Sequence, residues 1–316
     1  MLIKREVKVN GKNVYVVETI PELSSLSTTE KQEPSVILVS GLGMSSLTWC
    51  AVQRLLPPSL RSFSYDRFGL GKSDPPCSPR EAVTLAKELK VILEACEVPK
   101  PYLLVGHSYG GVICREYLQL WNEDVAGLVY VDANHEQSHV ERQWPMEAMG
   151  RMTLPPENLS DPSGLSDSHK CTKHEYEAIE EERRISREKR ANGPPSEFGE
   201  GAKYESSLLA LGSHDQLSRK FLTDRPLSVI LSNLARDFSL YYQASKSVGL
   251  GTQEDHEQVN AFCARLPEVE LRLGADMLRL SRVSRLILTS VSGHMVQLWE
   301  PELCVQEIMW CLSRAK

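Results

Sequence analysis

Ser35-Val36-Ile37-Leu38-Val39 is an unbroken apolar run of strand length, and a strand apolar at every position has to be covered on both faces. Further strands follow along the chain, read over Arg61 to Tyr65, Leu103 to Val105, Val125 to Asp132, Pro226 to Ser232 and Arg285 to Val291. Between them apolar residues fall at helical spacing. Ala82, Leu85, Ala86, Leu89, Ile92, Leu93 and Cys96 make one stripe, Val112, Ile113, Tyr117 and Leu118 a second, and Val305, Ile308, Met309 and Leu312 a third. Apolar strands alternating with such helices predict an α/β fold, a mostly parallel central sheet with helices on both faces.

A chain of 316 residues can bury a core of that size, and its 41% apolar and 25% charged residues are those of an ordinary globular protein. Lys4 to Val9 and Asn13 to Val17, joined by Asn10-Gly11, predict an opening β-hairpin. Pro21 to Glu33 reads as a surface loop. Ser78, Pro79 and Glu81 have the arrangement of an N-cap, a first-turn proline and a capping-box acid for the helix that follows.

From about Glu136 to Asp224 the order breaks. The stretch is polar, interrupted by prolines and helical only in pieces. His174 to Arg190 is dense in charge, with Glu180 placed to pair with Arg183 and Arg184, as on a solvated helix face. Strands on both sides of this stretch are needed to complete one sheet, so it reads as an insertion. The expected organisation is a core over residues 1–135, a mainly helical lid over 136–224 lying across the strand ends, and the core resumed over 225–316.

Gly106-His107-Ser108-Tyr109-Gly110 stands between a strand and a helix, the context of a nucleophile elbow that holds a serine hydroxyl clear of the sheet. Glycines two residues to either side let neighbouring backbone pass without a Cβ clash. The pattern alone is common; its partners make it informative. Of eight histidines, His107 sits inside the elbow facing away from the hydroxyl, and His169, His174, His214 and His256 lie in polar segments. His294, in Ser292-Gly293-His294-Met295 after the last strand, is placed to act as the base.

Asp132 ends the strand beside the elbow strand and is the candidate acid, since a carboxylate there needs a partner such as an imidazole N–H. Asp237, after the next strand, stays open as the alternative; its plain reading is an exposed helix-start acid beside Arg236. The backbone N–H groups of Leu42, in Ser40-Gly41-Leu42-Gly43, and Tyr109 are the candidate oxyanion donors. Three look-alikes fail. His135-Glu136-Gln137-Ser138-His139 starts just after a strand and lacks a third zinc ligand. Gly69-Leu70-Gly71-Lys72-Ser73 has Asp66 where a P-loop needs glycine, and Gly41-Leu42-Gly43 has Ser46 where a dinucleotide loop needs its third glycine. No cofactor or metal is expected.

With these residues in order, the chain resembles the α/β-hydrolase fold superfamily, from Ser35 to the last helix. Tyr65-Asp66-Arg67-Phe68-Gly69-Leu70-Gly71-Lys72-Ser73-Asp74 and Val131-Asp132-Ala133-Asn134-His135 make it most similar to the small-molecule serine hydrolase branch. That resemblance supports Asp132 as the acid. Ser40 departs from it, since many relatives carry histidine there. Epoxide hydrolases and haloalkane dehalogenases of this fold use an aspartate nucleophile, which Ser108 argues against. The resemblance implies this fold and its serine machinery and only loosely a substrate. The leading expectation is a serine hydrolase cleaving an ester or lactone of a small to medium, largely apolar molecule through an acyl-enzyme. Two alternatives remain: cyclisation, aldol-type or C–C cleavage chemistry on a polyketide-like substrate, and a ligand receptor on a hydrolase scaffold.

A net charge of −6 gives no reason to expect nucleic acid or an anionic membrane as partner. The first residues lack the apolar core of a signal peptide, and no run is long enough to span a bilayer. Eight cysteines without a CxxC pair, four of them in apolar helical patterns, make a reducing, cytoplasmic setting the expectation. Oligomeric state and substrate stay open.

Overall fold

The computed structural model describes residues 2–21, 33–154, 165–192 and 199–315. Its strands are β1 (Leu2–Val9), β2 (Lys12–Thr19), β3 (Ser35–Val39), β4 (Ser62–Tyr65), β5 (Tyr102–His107), β6 (Val125–Val131), β7 (Leu227–Leu231) and β8 (Ser284–Leu288). They form one eight-stranded sheet in the order β1-β2-β4-β3-β5-β6-β7-β8. β1 and β2 pair antiparallel, as do β2 and β4, and all remaining pairs are parallel. The first turn has the backbone that Asn10-Gly11 predicts, with φ of 51° and 83°.

Helices α1 (Cys50–Leu55), α2 (Ala82–Ala95) and α3 (Tyr109–Leu120) alternate with the early strands. Between β6 and β7 lie α4 (Ser138–Glu141), α5 (Met146–Arg151), α6 (Leu165–Ser168), α7 (Lys173–Asn192) and α8 (Tyr204–Ser213). Between β7 and β8 lie α9 (Leu234–Ser247) and α10 (Gln253–Met277), and α11 (Val296–Trp299) and α12 (Pro301–Leu312) follow β8. Apolar strands explain the layering. On β3, Ile37 and Val39 enter a core with Leu85, Leu89 and Ile113 from α2 and α3. Val36 and Leu38 enter the opposite core, with Val52 from α1 and Ile308 from α12. No helix among the described residues is long and apolar enough to cross a membrane.

Several local expectations change. Glu81, not Ser78, is the N-cap of α2, and its side chain makes no cap bond. The Ala82 amide instead donates to Ser207 Oγ of α8 at 3.0 Å, so a tertiary contact supplies the missing acceptor. On α12 the buried face is Cys304, Ile308 and Cys311 with Glu307, while Met309 is exposed. Arg183 bonds Glu180 at 2.8 Å, but Arg184 turns to Glu181 and Glu188. The loop expected over Pro21 to Glu33 lies, from 22 to 32, outside the described residues.

The two helices between β7 and β8 were missed in the sequence. Their signal was present: Val259, Phe262, Leu266, Leu273 and Met277 bury one side of α10, and Thr252 with Asp255 forms its capping box. Leu234, Val259, Phe262 and Leu266 pack on Ala148 and Met152 of the β6–β7 connection, with the Trp144 ring 4.9 Å from that of Phe262. Arg142 and Glu270 join the same two segments at 2.6 Å. Two connections, rather than one, therefore build a third apolar cluster outside the sheet's own cores.

Candidate active site

The chain runs from β3 to β4 on one side of β3 and then crosses to β5 on the other, which makes the C-terminal ends of β3 and β5 a topological switch point. The loop after β3 begins at Ser40, and the turn after β5 carries Ser108. The two are in contact: a Cβ built on Gly41 would lie 3.1 Å from Ser108 Cβ.

Ser108 adopts φ 52° and ψ −121°, a backbone that costs a non-glycine residue on the order of 1–3 kcal/mol. Its surroundings hold it there. The Ser108 amide donates to Val131 O at 3.2 Å, while Gly111 N and Asn134 N donate to Ser108 O at 3.1 and 3.0 Å. The flanking glycines are required by close approach: a Cβ at Gly106 would lie 2.6 Å from Gly111 N, and one at Gly110 2.2 Å from Val39 O. Ser108 Oγ donates to Asn134 Oδ1 at 3.3 Å, a long bond easily exchanged.

Asp132, at the end of β6, also has positive φ (47°) and is buried. Its Oδ2 meets His294 Nδ1 at 2.6 Å, and its Oδ1 accepts the Ser232 amide at 2.9 Å. Burial pushes this carboxyl up, but the bonds from His294 and Ser232 outweigh it and hold it below the usual carboxylate range. His294 Nε2 has no protein partner among the described residues. Asp237 touches the same histidine differently: its Oδ2 accepts the His294 backbone amide at 2.9 Å, and its Oδ1 takes Arg236 at 3.0 Å. Burial raises its carboxyl.

His107 has a part in this geometry that the sequence did not reveal. Its Nε2 lies 2.9 Å from the His294 carbonyl oxygen, and the two rings are 4.6 Å apart. A carbonyl only accepts, so Nε2 carries the proton. Complete burial holds the ring neutral, its pKa lowered to about 3. The structure thus brings the His294 loop against the residue preceding Ser108, with Asp132 on the imidazole and Asp237 on the backbone.

The amides of Leu42 and Tyr109 have no acceptor among the described residues. The loop carrying Leu42 is clamped from outside. Arg67 Nη1 donates to Ser40 O at 2.8 Å and Nη2 to Gly41 O at 2.6 Å. Glu200, from the segment between β6 and β7, accepts Arg67 Nε at 2.5 Å and the Gly43 amide at 2.8 Å. Sequence reasoning missed Glu200, because nothing local marks one acid among many as buried. The look-alike motifs have other employment. His135 Nε2 meets Asp276 at 3.1 Å and Glu136 pairs with Arg115, while Asp66 accepts the amides of Lys72 and Ser46 at 2.9 and 2.8 Å. Among the described residues, metal-ligand spacing occurs at Cys50, Cys171 and Glu175, none of them part of this constellation.

A cavity of about 430 Å³ opens beside the loop, lined by Leu42, Met44, Leu70, Ile179, Glu182 and Met295 among others. Glu182, on α7, accepts Ser45 Oγ at 2.5 Å, joining the cavity's far wall to the same loop.

A serine on a strand-to-helix turn, with an Asp–His pair from later strand ends, is the layout of an α/β hydrolase. The family profile described as alpha/beta hydrolase fold matches residues 34–168. An "AB hydrolase superfamily protein" of Gibberella zeae is 32% identical over 285 residues, covering 89% of this chain and 86% of that one. "Probable transporter efuK" of Hormonema carpetanum is 29% identical over 292 residues, so 89% of this chain matches only 40% of that protein's length. The esterase RhEst1 from Rhodococcus superposes with a TM-score of 0.60 at 18% identity, covering 100% of this chain and 99% of the other. The chain belongs to the α/β hydrolase superfamily.

Proposed function

We propose that this protein is a serine hydrolase that cleaves an ester or lactone of a small to medium, largely apolar molecule through an acyl-enzyme on Ser108. The observation that carries the reading is the 2.6 Å contact of Asp132 with His294 Nδ1, which leaves Nε2 free on a loop fastened to the elbow through His107. Ser108 Oγ releases Asn134, gives its proton to His294 Nε2 and bonds to the substrate carbonyl carbon. Asp132 fixes the tautomer and stabilises the imidazolium. The amides of Leu42 and Tyr109 receive the oxyanion. His294 then protonates the leaving alkoxide, and water activated by the same nitrogen attacks the ester to free Ser108. A cavity of about 430 Å³ has a wall that mixes Leu42, Met44, Leu70 and Ile179 with Glu182 and Arg183. It has room for one small acyl or alcohol group, and its apolar residues support an apolar one. Within the inserted segment expected over residues 136–224, between core segments 1–135 and 225–316, α7 serves as the lid wall of this cavity.

The test is hydrolysis of a panel of p-nitrophenyl esters and lactones by the native chain and by Ser108→Ala. Turnover that disappears in the variant, with circular dichroism unchanged, is the expected result; undiminished turnover would overturn the mechanism.

A further inference from the structure

We propose that Cys50 and Cys171 are a modification site, a thiol pair that closes to a disulfide and staples the segment leading into α7 onto α1. The two residues are 121 positions apart in the chain, yet Cys50 Sγ donates to Cys171 Sγ at 3.7 Å. Both are half-buried, so a small oxidant can reach them. Their approach is built into the fold. The Lys170 amide donates to Leu298 O at 2.8 Å, Arg54 Nη2 donates to Lys170 O at 2.6 Å, and Arg54 Nη1 reaches Glu175 at 2.6 Å. The chain is thus pinned just before and just after Cys171 to the helix that Cys50 opens. Among the described residues no other cysteine hydrogen-bonds a second sulfur.

The pair is also chemically unequal. The hydrogen bond from Cys50 holds the Cys171 thiol below its usual range, and the same bond, with burial, pushes the Cys50 thiol up. Cys171 is therefore the attacking sulfur. Its thiolate displaces one thiolate from a low-molecular-weight disulfide such as oxidised glutathione, forming a mixed disulfide. Cys50 then loses its proton, attacks the Cys171 sulfur and expels the second thiolate. Two protein thiols are oxidised and one small disulfide is reduced to two thiols.

A metal ion is the competing occupant, since Glu175 offers an oxygen within 4.8 Å of both sulfurs. That carboxylate is already taken, by Arg54 at 2.8 and 2.6 Å and by the Thr172 amide at 2.7 Å, so a guanidinium stands where the cation would bind. Closing the disulfide would fix α7, whose Ile179, Glu182 and Ile185 line the cavity beside the site.

The experiment incubates the purified full chain with oxidised glutathione and maps it by non-reducing digestion and mass spectrometry. The expected product is a linked pair of peptides carrying Cys50 and Cys171, two hydrogens lighter than the separate peptides, reversed by dithiothreitol and accompanied by a higher melting temperature. The exposed Cys77 should carry a stable glutathione adduct instead. In Cys50→Ser the adduct should persist on Cys171, and circular dichroism checks that the variant is folded. Separate stable adducts on Cys50 and Cys171, no reaction at either while Cys77 reacts, or one equivalent of zinc that survives dialysis and blocks oxidation would each overturn the proposal.

Discussion

Glu200→Gln tests whether the chain between β6 and β7 sets the loop that carries Leu42, the proposed oxyanion donor. Glu200 and Arg67 are 6% and 1% exposed, and the carboxylate takes Arg67 Nε at 2.5 Å, Arg67 Nη2 at 2.8 Å and the Gly43 amide at 2.8 Å. Glutamine keeps one acceptor oxygen and turns the other into a donor that faces donors. The Arg67 charge then faces only neutral acceptors, the remaining glutamine oxygen and the carbonyls of Ser40 and Gly41. Removing one partner of a buried ion pair costs about 3–5 kcal/mol, so the urea midpoint should fall by a corresponding amount. Ester turnover should fall as well. Complete loss of one oxyanion donor is worth about 100-fold or more, and a displaced loop forfeits part of that. A second variant separates packing from positioning. Arg67→Met with Glu200→Leu leaves no orphan charge and should recover most of the stability. It also deletes the bonds from Arg67 to Ser40 O and Gly41 O, so kcat/KM should stay low. Unchanged urea stability and activity in Glu200→Gln, or full activity in the double variant, would refute this reasoning.

Asp132→Asn should lower kcat by roughly 1,000- to 10,000-fold, because the amide no longer favours the imidazolium, whereas Asp237→Asn, which touches the His294 backbone, should cost at most about 10-fold; comparable losses would make the acid assignment wrong. His107 supplies a pH test. Its folded pKa of about 3 lies below the ordinary value of 6.5, so between these the unfolded chain binds the extra proton and stability declines as pH falls, by about 1.4 kcal/mol per unit. Comparing urea midpoints at pH 7 and pH 5 should show about 2 kcal/mol of loss that His107→Gln lacks. Gly293→Ala would place a Cβ 1.9 Å from both Asp237 oxygens, push that carboxylate off the His294 amide and lower kcat by up to about 100-fold while KM changes little. An alanine variant with native kcat would show that the Asp237 contact does not position the base.

The middle of the sheet was legible because β3, β5, β6 and β7 are apolar, fully buried segments with a short, strong signal. Ser35–Val39 alone requires cover on both faces, and the two helical layers supply it. The elbow was legible for a related reason: Gly106 and Gly110 are demanded by backbone approach and stand at fixed offsets from Ser108. Long-range electrostatics were not. Glu200 meets Arg67 across 133 residues, and no local pattern distinguishes it from the exposed acids of α7. His107 looked inert since its partner is a backbone carbonyl 187 residues later. On α2 the expected cap failed because Ser207, far along the chain, already satisfies the Ala82 amide. Asp132 and His294, 162 residues apart, could still be read because each stands at a strand end, whereas Glu200 and Ser207 carry no such positional mark.

Treating the intact chain with a fluorophosphonate and mapping the adduct by mass spectrometry tests the central claim most directly, since only a serine oxygen activated by a neighbouring base reacts readily. The account predicts one equivalent of label on the peptide containing Ser108, abolished by His294→Ala in a folded protein. Label absent from Ser108, or undiminished without His294, would contradict it.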